Sequence, residues 1–319
     1  MISMRTACAA LLLAIAGAGA PLSAQEHLKL AIGARGNWET AASELGQNAG
    51  IFKQHGLVLD LLYTQGSGET QQAVISGSAD IGIGLGTTSV MAAFARGAPL
   101  KVIGNASTGS SEFWYVPAGS SVHSMKDAGG KSIAYSTAGS SSHIEVLGFV
   151  KHYAVDAKPV ATGGTAATFT QVMSGQIDIG WSSPPFGVEA AREGKIRIVA
   201  HGRDLPSMRD QTIRVIAANA QFLRQRGEVA ARFMQAYRAA ITWMYSDPAA
   251  LSAYAAFAGV APGTAQQVRD DFYPREGLDP DRISGLDAVM ADGVSFKYLS
   301  APLSKEQLAQ LFQIASARN

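Results

Sequence analysis

The sequence has 319 residues, 47% of them hydrophobic and only 16% charged, with 26 Lys and Arg against 25 Asp and Glu. Such a chain has the apolar content to fold as one large or two modest domains and is unlike a disordered one. Its balanced charge, without a basic run, excludes an electrostatic grip on nucleic acid or anionic lipid, and its single cysteine, Cys8, excludes an intramolecular disulfide and a thiolate zinc cluster.

From the N-terminus, residues 1–24 read as a secretory signal sequence. Arg5 is the only charge before Glu26, residues 7–20 are mostly Ala, Leu, Ile and Gly, and Ser23 and Ala24 supply small residues ahead of Gln25. A membrane anchor needs about 20 apolar residues, and this run stops short of that at Pro21; retention as an anchor is the alternative. Cleavage near Ala24 removes Cys8 and Arg5 and leaves 25 basic against 25 acidic residues. No later stretch is long and apolar enough to span a bilayer, so the expected product is soluble and periplasmic.

The remaining chain alternates strands and helices. Residues 28–32 form an apolar run ending at Gly33, and Asn37 is placed to cap a helix that reaches about Asn48, with Gly50 ending it. Residues 57–63 form a nearly continuous apolar strand of the kind buried on both faces of a parallel sheet. A helix to Ser76 follows Gly66, Ser67 and Gly68, and residues 80–84 and 100–104 supply two more strands. This rhythm predicts an α/β fold with a largely parallel sheet. The segment VISGSADIG at 74–82 returns as VMSGQIDIG at 172–180, 98 residues on. A period so long is not that of a solenoid. It predicts a helix end, a glycine turn and an aspartate before a buried strand, used twice in two similar lobes with a cleft between them. After a strand at 212–218 the chain turns helical, with Phe222, Val229, Phe233, Met234, Tyr237, Ile241 and Met244 on one helix face. Asp247 and Pro248 start a further helix that Gly259 ends. Thr264 with Gln267 and Ser304 with Gln307 read as capping boxes, with Leu303 and Leu308 as the staple of the last helix.

Motifs for catalysis fail along the whole chain. Gly130, Lys131 and Ser132 lack the first glycine of a phosphate loop, Met125 standing in its place. Gly82, Gly84 and Gly86 lack the third glycine of dinucleotide spacing. The histidines at 27, 55, 123, 143, 152 and 201 show no metal-ligand spacing, and the run from Ser140 to His143 lacks the glycine-flanked nucleophile pattern. No enzyme activity, metal or cofactor is expected. What recurs is a polar, glycine-bearing loop after each strand. Ligands of α/β sheets bind beyond the carboxyl ends of strands, where helix N-termini offer free N–H groups. Any one Ser or Thr in such a loop is equally an ordinary helix cap; their recurrence points to a shared cleft. Trp38 and Trp181 could each be core residues, and their polar neighbours favour cleft walls. Ionisable residues in these loops are few (Arg35, Glu39, Glu69, His143, His201 and Arg203), so the expected ligand is held by hydroxyls, backbone N–H groups and aromatic faces without a tight charge clamp.

Three segments carry a family resemblance. AGIFKQHGL at 49–57, GSADIG at 77–82 and DAGGKSIA at 127–134 resemble elements of the nitrate/sulfonate/taurine and thiamine-precursor branch of periplasmic substrate-binding proteins of ABC importers. Ala128 departs from the leucine usual there. The resemblance implies a two-lobed periplasmic-binding-protein fold (type II), each lobe a mixed, mostly parallel sheet flanked by helices, that closes by hinge bending on a small polar or anionic solute, sulfonate-, nitrate- or pyrimidine-like. It implies delivery to a membrane permease and, indirectly, its ATPase, by a monomer. Carried to matching positions, the ligand-facing candidates are Asn37, Trp38, Ser67, Thr87, Ser107, Ser140, Ser141, Trp181 and Ser182. The expected organisation is a first lobe from 25–112 and 220–319 with a second lobe, 113–219, inserted, the crossings lying near Ser111 and Ala220. A related eukaryotic enzyme that makes a thiamine precursor uses a cysteine-rich motif, which export and loss of Cys8 oppose. A binding protein of a tripartite secondary transporter and a periplasmic enzyme on the same fold remain as alternatives.

Overall fold

The computed structural model describes residues 25–314; the expected signal sequence, with Cys8, lies outside the described residues. Among the described residues there are ten strands: β1 (Glu26–Gly33), β2 (Leu57–Thr64), β3 (Ile81–Gly86), β4 (Leu100–Thr108), β5 (Phe113–Pro117), β6 (Ser132–Tyr135), β7 (Lys158–Ala161), β8 (Gly180–Ser182), β9 (Ile196–His201) and β10 (Thr212–Asn219). One lobe holds a five-stranded sheet in the order β2-β1-β3-β10-β4. Here β1 runs parallel to β2 and β3, while β10 is antiparallel to both β3 and β4. The other lobe holds β8-β5-β9 and the parallel pair β6-β7. A bridge between Ile133 and Ile179 joins the two groups. The second lobe therefore repeats the first in the order β7-β6-β8-β5-β9, with β5 antiparallel to its neighbours as β10 is. β3 and β10 are buried throughout, which is why both read as apolar runs.

The 98-residue repeat has a physical basis in each lobe. Oδ2 of Asp80 accepts the Lys29 N–H of β1 at 2.9 Å, and Oδ2 of Asp178 accepts the Ser132 N–H of β6 at the same distance. Each aspartate, standing just before its own strand, thus ties it to the neighbouring one. The repeat reaches further than the sequence match. Thr64 and Thr70 share a hydroxyl–hydroxyl bond of 2.7 Å, Thr162 and Thr168 one of 2.6 Å, and Thr70 and Thr168 each donate to the carbonyl of Gly66 or Gly164. These pairs fix the N-termini of helices Ser67–Ile75 and Thr165–Met173 at equivalent places in the two lobes.

The strand at the end of the expected second lobe belongs to the first. β10 lies between β3 and β4, so the chain returns to the first sheet between His201 and Thr212, well before Ala220. The reason is that an inserted lobe must re-enter the parent sheet, and the returning strand fills the gap beside β3 in the opposite direction. Beyond it, Asn219 caps helix Ala220–Ser246 by accepting from the N–H groups of Gln221 and Phe222, and that helix buries Phe233, Tyr237 and Met244 on the first lobe. The Ser304–Gln307 capping box is formed. The Thr264–Gln267 box is not: helix Pro262–Gln267 starts earlier, after Ala261, and the Thr264 hydroxyl donates to Glu189 of the second lobe at 3.0 Å. Nor does Asn37 cap the first helix, which begins at Ala42 after a turn.

Candidate binding site

Where the two sheets face each other, a narrow cleft of about 50 Å³ lies between the lobes. Gly33, Asn37, Glu39, Ser67, Gly84 and Arg214 line it from the first lobe, and Ser136, Ser140, Ser141, Gly164, Thr165 and Trp181 from the second, with Glu112 from the crossing into β5. Three helices start on this cleft, Ser67–Ile75, Ser141–Tyr153 and Thr165–Met173, so their unpaired N–H groups and partial positive charge converge there. The lobes touch around it. The Asn37 Nδ2 donates to Ser183 Oγ at 2.9 Å. A Cβ on Gly86 would stand 2.8 Å from the Gly139 carbonyl, and one on Gly66 or Gly68 would meet Thr137. Glycine at 86 is what lets the two backbones approach.

The expected ligand-facing residues divide. Asn37, Ser67, Ser140, Ser141 and Trp181 line the cleft. Ser140 is also the N-cap of its helix, accepting from the His143 N–H, while the Ser67 hydroxyl and Trp181 Nε1 are buried without a hydrogen-bond partner. Thr87 donates to the Thr212 carbonyl at 2.6 Å and lines a smaller void behind the cleft. Ser182 donates to the Phe186 carbonyl at 2.7 Å, and Ser107 lines a separate, more open groove beside the crossings, with Arg203 and Phe272. Both arginines of that groove are engaged, Arg203 with the Asp271 carbonyl and Arg209 with that of Arg203.

Trp38 is not a cleft wall. It is 0% exposed, packs edge-on against Tyr245 and Tyr254, and donates its indole N–H to the Tyr245 hydroxyl at 2.9 Å. An amphipathic ring beside polar loop residues satisfies its one donor internally as readily as on a ligand. Trp38→Ala is therefore expected to lower unfolding stability by about 3–5 kcal/mol, as for other buried aromatics. Chemical denaturation checks this, and a loss below about 1 kcal/mol would count against core packing.

Of the buried charges of the cleft floor, the sequence singled out Glu39 but not Arg214, Glu112 or Glu145. Arg214, in the middle of β10, pairs through Nη1 with Glu39 and through Nη2 with Glu112 at 2.7 Å, all three nearly inaccessible to solvent. Glu145, on helix Ser141–Tyr153, is wholly buried beside Glu112; burial first, then the Glu112 charge, hold its carboxyl well above the usual range. Burial also pushes Glu39 up, against the pull of Arg214. A lone arginine inside an otherwise apolar strand was the available signal, because such a charge is buried only with a partner.

A second contact between lobes involves His143. Its Nδ1 accepts the Gly139 N–H at 3.2 Å and the Tyr298 O–H at 2.5 Å, and its ring stacks on Tyr135. Burial lowers its pKa from 6.5 to about 4. The unfolded chain therefore takes the proton first: the contribution of this contact is intact above pH 6.5 and is lost as pH falls toward 4. Thermal unfolding of wild type and His143→Gln at pH 7 and 4.5 should show a larger acid-induced drop in the wild type. Equal drops would assign the acid sensitivity to other groups.

Fold and cleft together define a two-lobed α/β architecture of the periplasmic-binding-protein kind, with a cleft between the lobes. The chain belongs to the NMT1/THI5-like family, whose model matches residues 39–251, in agreement with the resemblance carried by its motifs. Among solved structures, it is similar to the alkanesulfonate-binding protein SsuA from Xanthomonas axonopodis pv. citri bound to MOPS, at 19% identity and TM-score 0.76, over 91% of this chain and 98% of that one. The periplasmic aliphatic sulphonate binding protein SsuA from Escherichia coli matches at 17% identity and TM-score 0.71, over 92% and 94%. The desulfurization enzyme DSZB shares the fold at 18% identity and TM-score 0.65, over 91% and 96%. No curated protein matches the chain.

Proposed function

We propose that this chain is the extracytoplasmic solute-binding component of an ABC-type importer, which captures a small polar organic solute between its lobes and presents it to a membrane permease. The observation that carries the reading is the cleft itself, lined from both lobes, with three helix N-termini and the unpartnered Ser67 hydroxyl and Trp181 indole N–H facing one space. A solute bridging the lobes completes those hydrogen bonds only when the lobes are together, and so shifts the population toward the closed form. The first lobe comprises residues 25–108 and 212–314, the second 113–201, and the connections 109–112 and 202–211 form the hinge. The likeness to sulfonate-binding proteins supports this reading, and no helix among the described residues is long and apolar enough to cross a membrane. The protein works as a monomer after export and release of its signal sequence, and binds without turnover. The shared fold of DSZB makes catalysis the reading to test against.

Native mass spectrometry of protein purified from its own host, followed by small-angle scattering with and without the solute recovered, tests the proposal. A retained solute that returns unchanged and makes the particle more compact is the expected result. Conversion of the solute to a product, or a particle whose dimensions ignore it, would refute binding by hinge closure.

A further inference from the structure

The floor of the cleft carries more negative charge than its own cation balances. Two carboxylates, Glu39 and Glu112, both 1% exposed, share the single guanidinium of Arg214, which sets one terminal nitrogen against each. Among the described residues, no other Lys or Arg lines the cleft. Glu145 lies buried beside Glu112 and adds no positive charge, and Oε2 of Glu39 and Oε2 of Glu112 are both buried without a hydrogen-bond partner. At the same cleft, Trp181 Nε1 is a donor without an acceptor and the Ser67 hydroxyl has no partner. Buried polar groups are costly when unpaired and a buried excess charge more so.

Resting on the solute-binding reading above, we infer that the occupant of this cleft carries a positively charged nitrogen, of the ammonium or amidinium class, which donates to Glu39 and balances the second carboxylate, together with an acceptor group that takes the indole N–H of Trp181. A purely anionic solute such as a sulfonate or nitrate meets this floor unfavourably, because the two carboxylates that flank Arg214 repel it. The acceptor end has its place at the starts of helices Ser67–Ile75, Ser141–Tyr153 and Thr165–Met173, whose partial charge is positive. The cleft is thus polarised, with a negative floor facing three helix N-termini. Burial, and after it the neighbouring Glu112 charge, raise the Glu39 carboxyl above its ordinary value against the pull of Arg214 and of the Ser107 hydroxyl.

Guanidinium, urea and nitrate are planar, Y-shaped and of nearly one size, with charges of +1, 0 and −1, so calorimetric titration with millimolar amounts of each isolates the effect of charge. Guanidinium is expected to bind saturably and at least tenfold more tightly than nitrate, with urea between. Glu39→Gln and Glu112→Gln, each checked for folding by circular dichroism, should each reduce that preference. Nitrate binding as tightly as guanidinium, absence of saturable guanidinium binding, or a preference unchanged in both folded variants would overturn the inference. The native mass spectrum separates the two levels. A purely anionic solute retained by the wild type overturns the cation assignment and keeps the solute-binding reading. A folded protein that retains no solute and binds none of the three probes overturns both.

Discussion

Replacing Arg214 with methionine is expected to cost about 3–5 kcal/mol of unfolding stability, the usual consequence of removing one partner from a buried ionic network. The size of the effect comes from what is left behind. Glu39 and Glu112 would remain almost inaccessible to solvent with no cation between them, and Glu145 beside Glu112 offers no positive charge. Their carboxyls would then be pushed above the ordinary range of about 4.3 for glutamate. The deficit should be largest at neutral pH and shrink as pH falls and the carboxyls take up protons. Adding Glu39→Gln and Glu112→Gln to Arg214→Met should return much of the loss, because no buried charge then stands alone. Urea unfolding at pH 7 and 5 measures all of this. A single variant within about 1 kcal/mol of wild type would mean that water reaches the cleft floor and solvates the carboxylates.

The second large effect concerns closure. Gly86 ends β3 with ordinary extended backbone angles, φ −62° and ψ 124°, so a side chain there strains nothing within its own lobe. The Cβ it would add lies 2.8 Å from the Gly139 carbonyl of the other lobe, a backbone atom with no rotamer to give way. Overpacking of this kind costs about 1–3 kcal/mol, and relief comes most directly from moving the lobes apart. Gly86→Ala is expected to weaken binding of the recovered solute by roughly 5- to 150-fold, and Gly86→Val by more, with little change in thermal stability of the unliganded protein. Calorimetry and small-angle scattering read the two quantities separately. If affinity is unchanged while stability drops, Gly86 serves packing within the fold and not the meeting of the lobes.

Several elements were legible because their cause is local. A glycine turn followed by Asp80 or Asp178 announces a strand start, since the aspartate needs the adjoining strand's N–H, and the same few residues do the same work in both lobes. Ser304 and Gln307 form their capping box within one helical turn. Ser67, Ser140 and Ser141 reached the cleft because a helix that starts after a strand in an α/β lobe presents its N-terminus at the strand's carboxyl end. Trp38 failed because local polarity around a ring does not say whether its donor is met by a tyrosine 207 residues away. Thr264 failed for a similar reason: its hydroxyl found a carboxylate of the opposite lobe instead of its own helix end.

The sequence by itself determined the α/β alternation, the doubled lobe and the family, all properties of short patterns repeated along the chain. The tertiary structure alone decided where the second lobe ends and what charge the cleft holds. Both depend on one strand. β10 carries Arg214 back between β3 and β4, and in doing so it sets that guanidinium against Glu39 and Glu112, the first 175 residues distant in the chain. No local pattern records such a meeting, because it arises only when a returning strand closes the parent sheet and carries its one buried cation to the two carboxylates.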